Sequence, residues 1–329
     1  MKAVVFDRHG PPAEVLELRD VPTPAPGRGE VLVRMIASPI NPSDLMYIEG
    51  RYGLKPRFPA TPGFEGVGVV EATGGGLLGW LRKGKRVAVI NDRIGNWQER
   101  TITSARQVLP VPSDLTDEQA ACFFVNPATA VAMTKHVLAV PPGEWLLQSA
   151  AGSALGKMII RLGKTYGYRT INVVRRREQV DELKALGADV VLVESDGPID
   201  EQVRRTLQND GVRYAIDPVG GVVGTQVIAS IGRGGHALLF GLLSGESVTV
   251  DPRMLIGGSK RVEGFWLADW AKKQRIRRIL RHFREVRSLI RSGALATEIA
   301  ESFPLERVRE AVAFAARPGN TGKVLLRIV

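Results

Sequence analysis

The chain has 329 residues, 44% of them hydrophobic and 24% charged, which is the balance of an ordinary folded protein long enough for two domains. Its one cysteine, Cys122, excludes an internal disulfide framework and a cysteine-rich metal site, and no apolar run approaches the ~20 residues of a membrane span. The start, Met1-Lys2-Ala3-Val4-Val5-Phe6, reads as an immediate strand with no secretory leader, so the expected compartment is the cytoplasm; a net charge of +11 points to anionic partners.

From residue 1 to about 120 the pattern is one of short strands, at 2–6, 30–36, 66–72, 86–90 and 106–111, punctuated by glycine and proline. This spacing predicts a small β-barrel rather than a second wound sheet. Two polar loops sit within it: residues 41–53, carrying Tyr47 and Tyr52, and Gly95-Asn96-Trp97-Gln98-Glu99. Trp97, like Trp266 further on, reads equally well as a cleft wall or as core. Cys122, beside Phe123 and Phe124, reads as a small buried hydrophobe. The four histidines, His9, His136, His236 and His282, have no spacing that suggests a metal site or a triad, so structural roles are expected.

After residue 120 helices and strands alternate. Asn126-Pro127-Ala128-Thr129-Ala130 opens a helical stretch, with Asn126 in reach of a capping role. Trp145-Leu146-Leu147 is then a buried strand leading into the small-residue turn Ser149-Ala150-Ala151-Gly152-Ser153-Ala154. Leu155, Met158, Ile159 and Leu162 follow at helical spacing, Gly167 stops the helix, and 170–174 is a second strand. Such a βαβ unit suits a dinucleotide, whose pyrophosphate needs small residues at a helix N-terminus. The G-x-G-x-x-G spacing is absent, with Ala150, Gly152 and Gly156 in its place. Arg175, Arg176 and Arg177 end the second strand, where an acidic residue would bind a free ribose and arginines suit the 2′-phosphate of NADP. Segments 178–186, 190–193, 199–207, 212–216 and 236–240 continue a parallel, doubly wound sheet. Asp217-Pro218-Val219-Gly220-Gly221 and Phe240-Gly241-Leu242-Leu243 fall at strand ends, on the ligand side of such sheets. From about 265 the chain is mostly helical, with a last strand at 323–328.

Within that helical part, Ile276, Ile279, Leu280, Phe283, Val286 and Ile290 keep helical spacing and predict one buried face. Between Lys272 and Arg287 lie eight Lys/Arg and one acid, Glu285, a local excess of +7. Such a face is either solvating or a dock for an anionic partner. Nucleic acid is not expected, because no RNA-recognition motif or base-stacking array accompanies the charge; nor is a membrane partner.

A β-rich first part containing PGFEGVGVV (62–70) followed by a wound part containing AAGSALG (150–156) resembles the medium-chain dehydrogenase/reductase superfamily over essentially the whole chain. That resemblance implies an α/β fold with an N-terminal GroES-like β-barrel catalytic domain at 1–120, a Rossmann NADP-binding domain at 121–265, and a segment at 266–329 completing the catalytic domain. Zinc-dependent members carry cysteine where this chain has Asn41, histidine where it has Phe64, and four further cysteines, so no metal is expected. Among zinc-free branches, INPSDLMYIEGRYG (40–53), GNWQE (95–99), NPATA (126–130), INVVRRR (171–177) and GFWLADW (264–270) resemble the mitochondrial-type 2-enoyl thioester reductases, with quinone oxidoreductases second.

Carried over by position, the resemblance makes Tyr52 the proton donor, with Tyr47 its competitor. It makes Asn126, Gly152, Ser153, Ala154, Leu155, Arg175, Arg176, Arg177, Phe240, Gly241, Leu242, Leu243, Phe265, Trp266, Leu267 and Lys323 contacts to NADPH. Gly152 stands where relatives tend to have asparagine, and Arg176 where they often have aspartate. The implied partners are an acyl thioester substrate, an acyl carrier protein and a second copy of the chain in a homodimer. A nucleotide-sensing or RNA-binding relative that keeps the cofactor without catalysis is a third reading, which the basic charge permits.

Overall fold

Six parallel strands make up the wound sheet, in the spatial order Val190–Val193, Arg169–Val174, Trp145–Gln148, Val212–Asp217, Ile231–Leu239 and Arg261–Gly264. In chain order this is third, second, first, fourth, fifth, sixth, so the winding reverses between the first and fourth strands. The computed structural model in which this is seen describes residues 1–317, 319 and 322–328. The strands are near-continuous runs of Val, Ile, Leu and Ala because both faces are covered, and Leu147, Ile171, Val173, Ala215 and Ala237 are fully buried. The helix Ala154–Tyr166 starts on Ser153 and ends on Gly167, as its periodicity and glycine stop predict.

The chain divides into two units. One comprises Met1–Val125 with Thr297–Val329, the other Asn126–Ala296. The first break falls close to the expected 120/121. The second falls at 296/297, not 265/266: the helices Leu267–Lys272 and Ile276–Arg291 belong with the wound sheet, and only the last part of the chain returns to the first unit. The reason is visible in the longer helix, whose His282, Val286, Leu289 and Ile290 are buried and whose Glu285 accepts hydrogen bonds from Lys135 and Tyr166 of the wound unit. That stripe is rotated from the expected face. Ile276 and Leu280 stand out in solvent, 69% and 48% exposed, among the arginines.

The first unit holds a seven-stranded sheet in the order Ile299–Pro304, Lys323–Arg327, Glu30–Ile40, Glu65–Thr73, Arg86–Ile90 and Val108–Pro110, with Arg100–Ser104 also paired to Glu30–Ile40. All pairings are antiparallel except the parallel one between Ile299–Pro304 and Lys323–Arg327. Lys2–Val5 pairs separately with Glu17–Asp20. The region 41–53, expected as a loop, contains the helix Pro42–Ile48. Asp44 closes its N-terminus by accepting from the Asn41 backbone N–H at 2.8 Å, and proline occupies the first helical position, where its missing N–H costs nothing. Trp97 is fully buried and therefore core, and Cys122 is 1% exposed.

Candidate active site

In the wound unit the strand Trp145–Gln148 delivers the turn that precedes helix Ala154–Tyr166. Backbone bonds from Ser149 N to Ile216 O (3.3 Å), Ala151 N to Val173 O (3.0 Å) and Ser153 N to Ala150 O (2.9 Å) tie the turn to both neighbouring strands. Ala150 is held at φ 47°, a left-handed conformation that costs a residue with a Cβ about 1–2 kcal/mol. The Ser153 hydroxyl accepts from Gly156 N at 3.1 Å and caps the helix. At Gly156 a Cβ would lie 2.4 Å from the Ala151 carbonyl oxygen, so only glycine lets the helix start this close to the strand. The result is a tight backbone cradle at the positive end of a helix dipole, which suits a pyrophosphate.

Because all six strands run the same way, the segments expected to touch a cofactor share one edge of the sheet. Gly152, Ser153, Ala154 and Leu155 follow the first strand; Arg175, Arg176 and Arg177 the second; Phe240, Gly241, Leu242 and Leu243 the fifth; and Phe265, Trp266 and Leu267 the sixth. The loop after the fifth strand lies along the loop after the fourth, through Leu243 N to Pro218 O at 3.0 Å, and a Cβ on Gly241 would meet that same oxygen at 2.6 Å. Asn126 is half-buried as the second residue of helix Val125–Val131, past the capping position.

Three further groups in this unit act on the same edge; sequence places Asp217 at a strand end on the ligand side without giving it a role, and does not single out Gln179 or the turn at 194–196. Asp217, buried at the end of the fourth strand, accepts from the Ser149 hydroxyl, from Gly220 N at 2.8 Å and from Val219 N at 3.2 Å. It thereby ties the two loops at the winding reversal together; burial pushes its carboxyl up, against those hydrogen bonds. The Gln179 amide lies over Gly152, whose added Cβ would meet it at 2.0 Å. The turn Glu194–Asp196 faces the arginines: Asp196 pairs with Arg177, and Arg175 opposes the upward push of burial on the Glu194 carboxyl. Asp217 had a readable signal, an acid closing an apolar strand before Pro-Val-Gly-Gly; Gln179 and the 194–196 turn had none.

In the first unit, Tyr52, Tyr47 and Phe64 meet in one aromatic cluster. Phe64 lies 5.2 Å from Tyr52 and 5.3 Å from Tyr47, centroid to centroid. Tyr52 is half-buried, whereas Tyr47 is 7% exposed and burial raises its phenol pKa. Beside them is a buried polar cluster. The Glu65 carboxylate accepts from Asn41 Nδ2 (3.0 Å), Phe124 N (3.0 Å) and Val125 N (2.8 Å), while the Lys323 ammonium donates to Asn41 Oδ1. Asp44 accepts from Phe64 N at 3.0 Å through its second oxygen. Burial raises both carboxyls, Asp44 to about 7, and Lys323 opposes this in each case. Lys323, expected at the cofactor, is 6% exposed and spends its ammonium on Asn41 within this unit. A zinc ion does not fit the cluster: Asn41 has both side-chain ends engaged, Phe64 has no donor, and an ammonium already stands at the amide oxygen.

Two family models match the chain, "Alcohol dehydrogenase GroES-like domain" over residues 27–113 and "Zinc-binding dehydrogenase" over 154–285. Mitochondrial enoyl-[acyl-carrier-protein] reductase of Homo sapiens is 33% identical over 330 residues, covering 99% of this chain and 88% of the human protein. The crystal structure of a putative NADPH:quinone reductase from Bacillus thuringiensis has a TM-score of 0.93 and 32% identity, covering 100% of this chain and 99% of that one. A mycobacterial protein solved in complex with NADPH has a TM-score of 0.89 and 28% identity, with all of both chains covered (100% each). The chain belongs to the medium-chain dehydrogenase/reductase superfamily of oxidoreductases.

Proposed function

We propose that the protein uses NADPH to reduce the carbon–carbon double bond of trans-2-enoyl thioesters, carried on coenzyme A or on an acyl carrier protein. The observation that carries the cofactor half is the Gly156 cradle, with Arg175 and Arg177 exposed beside it. The thioester half is supported by the full-length similarity to a reductase named for that substrate.

When bound, NADPH supplies a hydride to the substrate β-carbon. The amides of the Gly152–Leu155 turn would hold the pyrophosphate, and Arg175 and Arg177 would hold the 2′-phosphate. Asn126 would hydrogen-bond the nicotinamide side, and segments 240–243 and 265–267 would line the cofactor site. With hydride at the β-carbon the substrate would carry enolate charge, and the Tyr52 phenol would donate the proton that completes the α-carbon. A phenol is a weak acid near neutrality, but an enolate is a strong enough base to take its proton when the two are held together. Tyr47 is the poorer donor because burial favours its protonated form. Lys323 and Glu65 act through Asn41, fixing the amide beside the aromatic cluster.

The test is one side-by-side assay of crotonyl-CoA against a small quinone, each with NADPH and with NADH. Thioester turnover with NADPH should dominate, and Tyr52→Phe should lower kcat on the thioester by roughly 10²–10⁴-fold. Faster turnover of the quinone would instead support the second reading, an NADPH:quinone reductase, which the Bacillus thuringiensis structure favours. An unchanged rate in Tyr52→Phe would return the proton to Tyr47 or solvent.

A further inference from the structure

The antiparallel strands Glu65–Thr73 and Arg86–Ile90 are joined by a connection that carries the short helix Leu77–Arg82 out from the end of the sheet. Gly75 and Gly76 lead into it at φ 100° and 90°, conformations open to glycine, so the chain turns sharply before the helix begins. The helix is apolar on the side where a surface helix is ordinarily polar. Leu78 packs inward against the sheet core, while Leu77, Trp80 and Leu81, at i, i+3 and i+4, point outward and are 79%, 64% and 60% exposed. The segment 74–86 contains Arg82, Lys83, Lys85 and Arg86 and no acid. Lys83 lies 5.5 Å over the Trp80 ring, and neither Lys83 nor Lys85 forms an ion pair among the described residues.

We propose that this tip docks the protein on an anionic phospholipid surface, with Leu77, Trp80 and Leu81 entering the headgroup–acyl boundary and Lys83 and Lys85 meeting the lipid phosphates. Three adjoining side chains are far fewer than the 20–30 residues a side of a stable protein interface, but they suffice for shallow, reversible insertion. Trp is the residue type that favours the bilayer interface, because its ring is apolar and its N–H polar. Unpaired lysines beside it add about fivefold in partitioning each when they approach an anionic surface. Among the described residues no helix is long and apolar enough to cross a bilayer, and this surface contact needs none. The inference does not depend on the reaction proposed above.

The experiment is co-sedimentation of the full-length protein with vesicles of phosphatidylcholine and phosphatidylserine (7:3), against pure phosphatidylcholine, at low and high salt. Binding should appear on the anionic vesicles and weaken with salt. The triple variant Leu77→Ser/Trp80→Ser/Leu81→Ser, all at exposed positions, should lower the partition coefficient at least tenfold while NADPH binding stays unchanged. Lys83→Gln/Lys85→Gln should remove most of the preference for anionic over neutral vesicles. The proposal is overturned if the unmodified protein does not sediment, or if the triple variant sediments equally. It is also overturned if binding is lost instead with Arg277→Gln/Arg281→Gln/Arg284→Gln, or if the triple variant changes the oligomeric state, which would make the tip a contact between copies.

Discussion

Replacing Gly156 with alanine isolates the geometry of the phosphate cradle. The added methyl would stand 2.4 Å from the Ala151 carbonyl oxygen and 2.7 Å from two further Ala151 backbone atoms, so the helix start must retreat by at least 0.6 Å to restore a 3.0 Å contact. The obstacle is backbone tied to Val173 O at 3.0 Å, not the far end of a side chain, so the helix is what moves. Overpacking of this kind costs about 1–3 kcal/mol, while alanine recovers about 1 kcal/mol of helix propensity, leaving a net destabilisation of about 0–2 kcal/mol. Cofactor binding should suffer more than stability. The retreat carries away Gly156 N from the Ser153 hydroxyl and the first-turn amides from the pyrophosphate, and loss of one hydrogen bond to a charged group costs about 1.5–3 kcal/mol. NADPH Kd should therefore rise by roughly 10- to 100-fold, measured by titration of nucleotide fluorescence. Gly163→Ala is the control: it lies on the same helix, its Cβ would meet Tyr168 O at 3.0 Å, a contact that needs no retreat of the helix start, and it should leave NADPH affinity unchanged. If Gly156→Ala folds and binds NADPH as before, or if both variants weaken binding equally, the cradle is not where the pyrophosphate sits.

Other consequences of the structure can be measured separately. Asp196 competes with a 2′-phosphate for Arg177, and since both side chains are largely exposed the pair is worth only about 0.2–1 kcal/mol; Asp196→Asn should tighten NADPH, but not NADH, by about 1.5- to 5-fold at low salt, and equal effects on both would remove Arg177 from the phosphate site. Asp44 has a folded pKa of about 7, above its unfolded value near 3.8, so the folded state holds the extra proton and this residue's contribution falls as pH rises from about 4 through 7, by at most about 4 kcal/mol. Urea unfolding at pH 5 to 8 should show that decline in the unmodified protein and a flatter profile in Asp44→Asn; identical slopes would place the titration elsewhere. On the basic helix, Arg277, Arg281 and Arg284 form no ion pair among the described residues, so replacing them with glutamine should raise KM for enoyl-acyl carrier protein or enoyl-CoA, increasingly as salt is lowered, and spare small uncharged enones. A uniform response across acceptors would leave that charge to solvation.

How far the sequence could be read depended on the range of the interactions involved. The wound sheet was legible because each βαβ unit is written locally: a run of Val, Ile and Leu, a small-residue turn, a 3.6-residue stripe and a glycine stop. Its phosphate turn and arginines could be placed for the same reason, although the φ of 47° at Ala150 and the 0.6 Å margin at Gly156 are set by strands that the turn meets only after folding. The basic helix shows the limit of periodicity. Two apolar stripes compete on it, and the buried one runs through His282, Val286 and Leu289, because Tyr166 and Lys135 receive Glu285 on that side. The helix Pro42–Ile48 has a start signal in Asn41, Pro42 and Asp44, but it lies among residues that equally favour turns.

Least legible was the group of buried charges. Lys323 donates to Asn41 from 282 residues away, and Glu65 accepts from Phe124 and Val125 across 59 and 60 residues, separations over which no local pattern in the sequence carries information. Resemblance makes Lys323 a contact to NADPH, and in the structure its ammonium donates to Asn41. A lysine held between Asn41 and the Glu65 carboxylate region is buried, compensated, and costly to leave unpaired. Asn41 therefore keeps, without any metal ligand, a fixed orientation at the position where the zinc-dependent branch has its cysteine. The polar framework beside Tyr52 and Phe64 is built from a lysine, an amide and two carboxyls, and its rigidity comes from the buried hydrogen bonds that oppose the upward push of burial on Asp44 and Glu65.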